Sequence, residues 1–377
     1  MELRNIIRHT ATETLARYVV ATNYEDIPTE VLRLAKRQVL DTIGVGLAGS
    51  RQPHGAIMRR TVRSWGGRRQ ATVWASNLRC PAPSAALANG TFCHALDYDD
   101  TWQTLSVHPS GVLVPAVTAA GETHHASGRQ FLTSLIVGYE VAGKLGMAVR
   151  QGYPRHWHPT PVIGTMAATA AAAKLIGLQA QQLQMALGLA ASMAGGLAAQ
   201  GGTMTKPLHS GLAARNGVIA AHLAAEGFTA NNSVLDDRRG YYEAFFGDSL
   251  DLEKALECLG QPYHLLSPGI GVKMYPSGWR LHHSFEATLA IVVQYDIKPE
   301  QVKGVEIGVP HEHYFNRGEI LWGLAGKFSL QYHVAMAILD RRLTIDSFTD
   351  ERALAPDAQA LLHHIVVQVD PSIPEAA

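Results

Sequence analysis

The stretch from Val162 to Leu197 limits the fold of this chain more than any other. Lys174 is its single charged residue, and alanine and glycine recur at close spacing. Small side chains let helix backbones approach closely. The stretch therefore reads as two helices, one running from Pro159 to about Leu175 and one from about Ala180 to Met193, buried in an interior or in a dimer interface. Lys174 and several glutamines interrupt the apolar run, so it is not a membrane span.

The flanking segments extend the helical pattern. Residues 10–24 and 29–48 read as amphipathic helices, the second with Val31, Leu34, Ala35, Val39, Ile43 and Leu47 at helical spacing. Residues 54–65 suggest another, broken by Gly66-Gly67. Ser127-Gly128-Arg129-Gln130 fits a capping box opening a helix whose Leu132, Leu135, Ile136 and Tyr139 share a face. Gly201 starts a loop into a helix that Gly227 ends. Up to about residue 265 only Ala71 to Trp74 resembles a strand. After Pro268 the character changes: Val302 to Val309 and Ile365 to Val369 read as strands, Ser329 to Leu339 and Ala353 to His363 as helices. The expectation is a mainly α protein, with an all-helical domain over 1–266 and a smaller α+β domain over 267–377.

Into this apolar frame the segment Gly90 to Gly111 packs His94, Asp97, Asp99, Asp100, Thr101, His108 and Ser110. Buried polar groups cost free energy unless paired, so such a cluster needs a reason. His94, Asp97 and Thr101 are spaced three and four apart and would share one face of a continuing helix. A second helix is expected to open at Pro109, with His108 just before it. The alternative is a surface helix end with a solvated acidic loop.

A basic residue directly precedes a proline expected to begin a helix at His108-Pro109, His158-Pro159 and Lys206-Pro207. One helix N-terminus is worth roughly 0.3–1 kcal/mol to an anion. Three such ends, joined by Lys273 and Arg280, would form a pocket for a multiply charged carboxylate. Histidines there can also move protons, worth about 10²–10⁴-fold in rate. Abstracting a proton beside a carboxylate needs cations and helix ends to stabilise an enediolate-like state. The residues thus suit dehydration, decarboxylation or epimerisation.

Other classes find less support. His94, Asp97, Asp99 and His108 lack a recognised metal-ligand spacing, and no metal is expected. His311-Glu312-His313 reads as an exposed turn. Of His282 and His283, one is a candidate to line the site. Cys80, Cys93 and Cys258 form no CxxC pair, so neither a zinc site nor a disulfide framework is indicated. There is no glycine-rich phosphate loop and no GxSxG elbow. A formal net charge of zero argues against a general nucleic-acid binder. The N-terminus lacks the apolar core of a signal peptide, and a cytoplasmic protein without membrane association is expected.

In order along the chain, HALDYDDT followed by HPSG, WHPTPVIGT, TKPLHSGLAARNGVIAAHLAAEGFT, DDRRGYYEAFFGD, VKMYPSGWRLHH and FSLQYHVAMAIL resemble the MmgE/PrpD family. That family includes 2-methylcitrate dehydratase, cis-aconitate decarboxylase and iminodisuccinate epimerase. The resemblance implies a large all-helical domain with an α+β lid, a homodimer, a site between the domains and no required cofactor. By motif it makes His108 and His158 proton-transfer groups. Lys206, Lys273 and Arg280, with His282 nearby, become carboxylate-binding groups. Asp97 and Thr101 become orienting residues and Tyr332 a donor to a leaving group. The family pattern continues beyond the VVQVD strand, so a shortened lid is expected. Gly278 stands where the decarboxylase has a histidine, which counts against a decarboxylase; a 2-methylcitrate dehydratase-like lyase is the leading expectation, and an epimerase, which uses the same base and carboxylate clamps without expelling water, is next. A catalytically inactive relative serving as a binding or dimerisation partner is the non-enzymatic alternative.

Overall fold

The computed structural model describes residues 9–102, 104–149, 156–247, 252–311 and 315–373. Glu312 and His313 of the expected exposed turn lie outside them. The structure is 62% helical, with two two-stranded sheets among the described residues, which makes it mainly α. It divides into two compact units. The first comprises Met1–Ala95, Asp99–Ala199 and Pro207–Val272, and the second Leu96–Tyr98, Gln200–Lys206 and Lys273–Ala377.

The first unit is built from α1 (Ala11–Ala21), α2 (Thr29–Gly49), α3 (Pro53–Trp65), a two-residue hairpin β1 (Ala71–Thr72) and β2 (Arg79–Cys80), then α4 (Ala82–His94), α5 (Ser110–His124), α6 (Gly128–Met147), α7 (Pro159–Ile176) and α8 (Ala180–Met193). Helix α9 (Thr205–Ala225) follows, with its first two residues counted in the second unit, and then the short α10 (Tyr241–Phe246) and α11 (Leu252–Glu257). Local chemistry sets these boundaries. Ser127 and Gln130 form the expected capping box of α6. Pro159 occupies the first turn of α7, and Gly177 closes it at φ +81°.

The alanine-rich helix α7 is interior. A Cβ at Gly217 would lie 2.5 Å from Ala168, one at Gly164 3.0 Å from Val112, and one at Gly138 2.7 Å from Leu113. Backbone-to-backbone approach at these crossings is what the small residues permit. No helix among the described residues is long and apolar enough to cross a membrane.

The second unit carries α12 (His282–Gln294), β3 (Val305–Val309), α13 (Gly323–Gly326), α14 (Leu330–Leu339), α15 (Asp350–Ala353), α16 (Pro356–Leu362) and β4 (Ile365–Val369). The single helix expected over 353–363 is two, because Pro356 begins a new one. Strands β3 and β4 pair in parallel, from Val305 opposite Ile365 to Val309 opposite Val369. Phe285, Tyr332, Met336, Phe348 and Leu362 are among the residues of its own apolar core. The two short outlying segments are tied in by hydrogen bonds. Trp322 Nε1 donates to Gly202 O at 2.6 Å, and Tyr98 Oη donates to Met274 O at 2.9 Å.

Two expectations about helix ends need correction. Helix α4 stops at His94, and Asp97 adopts a left-handed φ of +51°, so His94, Asp97 and Thr101 do not share a helix face. Only His158 stands directly before a helix opened by its proline. Helix α5 starts at Ser110, one residue after Pro109, and α9 starts at Thr205, placing Lys206 inside its first turn.

Candidate active site

Two clusters of polar side chains stand out, one in each unit.

In the first unit the loop after α4 feeds a row of buried imidazoles. Asp99 and His94 are both fully buried, and His94 Nδ1 bonds to Asp99 Oδ2 at 2.8 Å. The next residue, Asp100, offers its backbone carbonyl to His108 Nδ1 at 2.9 Å. A carbonyl only accepts, so Nδ1 carries the proton, and the lone pair of neutral His108 lies on Nε2. His108 N–H also donates to Thr160 Oγ1 at 3.1 Å. The Asp100 carboxyl accepts from Ser110 N–H at 3.2 Å and from the Ser110 hydroxyl, which in turn meets the Tyr139 hydroxyl. Burial, opposed by the Ser110 hydroxyl and reinforced by Asp99, pushes the Asp100 carboxyl up to about 8.

Helix α7 brings His158 to the same row. Its ring stacks on His94 at 5.6 Å between centroids, and His94 packs against His108 at 4.8 Å. His158 Nδ1 also meets His209 Nδ1 at 3.2 Å. His94, Asp99 and His108 offer nitrogen and oxygen atoms within 4.8 Å of one another, so this cluster is where a cation could be held. Thr101 is buried, and its backbone bonds in both directions with Gly271.

In the second unit the cluster centres on Asp97. Its Oδ1 accepts from Lys206 Nζ at 2.9 Å and from Lys273 Nζ at 3.2 Å, and its backbone carbonyl accepts from Lys273 at 2.8 Å. A third ammonium, Lys327, is buried nearby. It donates to Leu96 O at 2.8 Å and Pro276 O at 2.6 Å, and lies 4.3 Å from the Phe348 ring. Burial lowers Lys327 to about 7, against the pull of Asp97 and with help from Lys273 and Lys206. His282 is buried, with no hydrogen-bond partner for Nε2 among the described residues. Burial, then Lys273, brings its imidazole down to about 4, so it is neutral near pH 7.

Of the sequence-derived candidates, His108 and His158 belong to the first unit, and Asp97, Lys206 and Lys273 to the second. Arg280 is exposed on a short 3₁₀ turn. Tyr332 is fully buried in the second unit's core and donates its hydroxyl to Ser347 O. Sequence reasoning passed over Lys327 and His209. The signals were present: a lysine directly before the apolar FSLQY run, and a histidine one helical turn after Lys206.

The sequence matches the MmgE/PrpD N-terminal domain over residues 13–253 and the MmgE/PrpD C-terminal domain over residues 275–377. Among curated relatives, cis-aconitate decarboxylase of Homo sapiens is 30% identical over 373 residues, covering 96% of this chain and 77% of the relative. Cis-aconitate decarboxylase of Aspergillus terreus is 27% identical, covering 86% of this chain and 71% of that protein. A 2-methylcitrate dehydratase of Salmonella typhimurium is 25% identical, covering 93% and 76% respectively.

Proposed function

The chain belongs to the MmgE/PrpD family, and from that premise we propose that it is a lyase acting on a small polycarboxylate, with decarboxylation of a cis-aconitate-like substrate as the leading reaction. The observation that carries this reading is the convergence of lysines on Asp97. Lys206 and Lys273 both bond its carboxylate, and Lys327 lies buried close by. A substrate carboxylate would meet these ammonium groups in surroundings where little water screens them. The similarity to cis-aconitate decarboxylases favours a carbon–carbon lyase over the dehydratase favoured from sequence.

Such a decarboxylation breaks the bond between the methylene carbon and its carboxylate. The electron pair moves across the neighbouring double bond, CO₂ leaves, and a proton is delivered to the far alkene carbon. His108 and His158 are assigned that proton transfer, and Lys206 and Lys273 the holding of substrate carboxylates. Asp97 sets the position of both ammonium groups.

Dehydration is the second reading. Gly278 favours it, because it stands where the decarboxylase pattern carries a histidine. Proton NMR of the purified protein in D₂O with cis-aconitate, 2-methylcitrate or citrate separates the readings. An itaconate-like vinyl pair from cis-aconitate supports decarboxylation, and alkene signals from 2-methylcitrate support dehydration. No turnover of any of the three would overturn both.

A further inference from the structure

We infer that His209 determines which ring nitrogen of His158 carries a proton, and so lets His158 alternate between proton acceptor and proton donor. The inference rests on the proposed proton-transfer role of His158. The geometry is closed on several sides. His158 and His209 are both buried, and their Nδ1 atoms are 3.2 Å apart. Gly196 holds the pair together: its carbonyl accepts the His158 N–H at 2.8 Å. The His209 ring lies so close to Gly196 that a Cβ there would be 3.2 Å from both Cγ and Nδ1. His94, whose ring stacks on that of His158, hinders rotation of the ring.

Two imidazole nitrogens at this distance share one hydrogen, since two N–H groups would collide and two lone pairs would repel. When His158 Nδ1 donates to His209, the lone pair of neutral His158 lies on Nε2 and can take up from solvent the proton that is later delivered to the alkene carbon. As that proton arrives at Nε2, the Nδ1 proton passes to His209 Nδ1. His158 is then neutral with Nε2–H, ready to donate, and the positive charge rests on His209. Reversal restores the starting state. No proton or electron is left unaccounted for. His209 acts through His158 and is a positioning residue.

The test uses the full chain with ¹⁵N-labelled histidine and long-range ¹H–¹⁵N correlation, assigned with His158→Gln and His209→Gln. The expected spectrum shows one residue of the pair protonated at Nδ1 and the other bare there. Both bare, or both protonated, would overturn the inference whatever the activity. Kinetics give a second readout. His209→Phe keeps a ring against Gly196 but cannot share the proton, and turnover should fall about 10²-fold with KM little changed. His209→Asn places an amide near the Nδ1 position and should recover about tenfold of that loss. A purely structural role predicts the reverse order, with the ring-preserving Phe variant the better enzyme. If the wild type turns over no carboxylate, the functional reading fails, while the spectrum still decides the histidine pair.

Discussion

Lys327 donates to the backbone carbonyl of Leu96 at 2.8 Å, joining positions 231 apart in sequence. The bond fixes the chain directly before Asp97, whose carboxylate gathers Lys206 and Lys273. A buried ammonium thus supports the turn on which the lysine cluster depends. Its own charge is costly, which is why it titrates near 7 instead of at its ordinary 10.5.

That depression gives stability a definite dependence on pH. Between about 7 and 10.5 the unfolded chain holds a proton on Lys327 that the folded chain has lost. The contribution of this group to stability therefore rises with pH across that window and is lost as pH falls through 7. Urea denaturation of the wild type and of Lys327→Met at pH 7 and pH 9 checks the sign. The wild type should gain on the variant at the higher pH, and a loss would refute the assignment.

Removing Asp97 should be costly for the opposite reason. Asp97→Ala leaves Lys206 and Lys273 facing each other without their shared carboxylate. Breaking a buried ion pair in this way costs about 3–5 kcal/mol. Adding Lys273→Met should restore part of the loss, because one uncompensated charge goes with it. A double variant no more stable than Asp97→Ala alone would mean that the carboxylate does not neutralise Lys273.

Gly278→His asks what separates the two lyase reactions. The position tolerates a side chain: a Cβ there would meet Lys327 O at 3.4 Å, Phe315 at 3.5 Å and Leu281 at 3.6 Å. All are ordinary contacts, so stability should change by less than about 1 kcal/mol. A histidine added beside the lysine cluster should raise the rate of CO₂ release from cis-aconitate by about tenfold or more. An unchanged ratio of decarboxylation to dehydration would show that Gly278 does not set the reaction.

Gly111→Ala probes the histidine row without touching an imidazole. Its methyl would lie 2.9 Å from Asp99 Oδ2 and 3.3 Å from Ser210 Oγ. Asp99 would have to shift away from His94, disturbing the ring packed between His108 and His158. Overpacking of this kind costs about 1–3 kcal/mol. Turnover should fall well beyond what the stability loss explains, with helical circular dichroism retained. Wild-type turnover in a folded variant would detach Asp99 from the function of the row.

Much of the helical framework was legible along the chain, because its signals are local. Ala180–Met193 matches its expected ends, and the Ser127 capping box is present. Proline, glycine and capping residues act on their immediate neighbours, so their effects can be read in order. The turn at Asp97 could not be read in this way. Three- and four-residue spacing suggests a helix face, but the left-handed backbone at Asp97 ends that periodicity and directs the side chain elsewhere.

The order of motifs, the apolar small-residue helices and the wealth of histidines were thus determined by the sequence itself, and they were enough to identify the family. Only the tertiary structure decided which of those groups meet. It joined Asp97 to Lys206 and Lys273 across 109 and 176 positions, and His158 to His209 across 51. It enlisted Lys327, left Arg280 exposed and committed the Tyr332 hydroxyl to Ser347. The physical reason is that the charge and protonation of a buried group depend on partners distant in sequence, and no local pattern specifies where the folded chain will bring them.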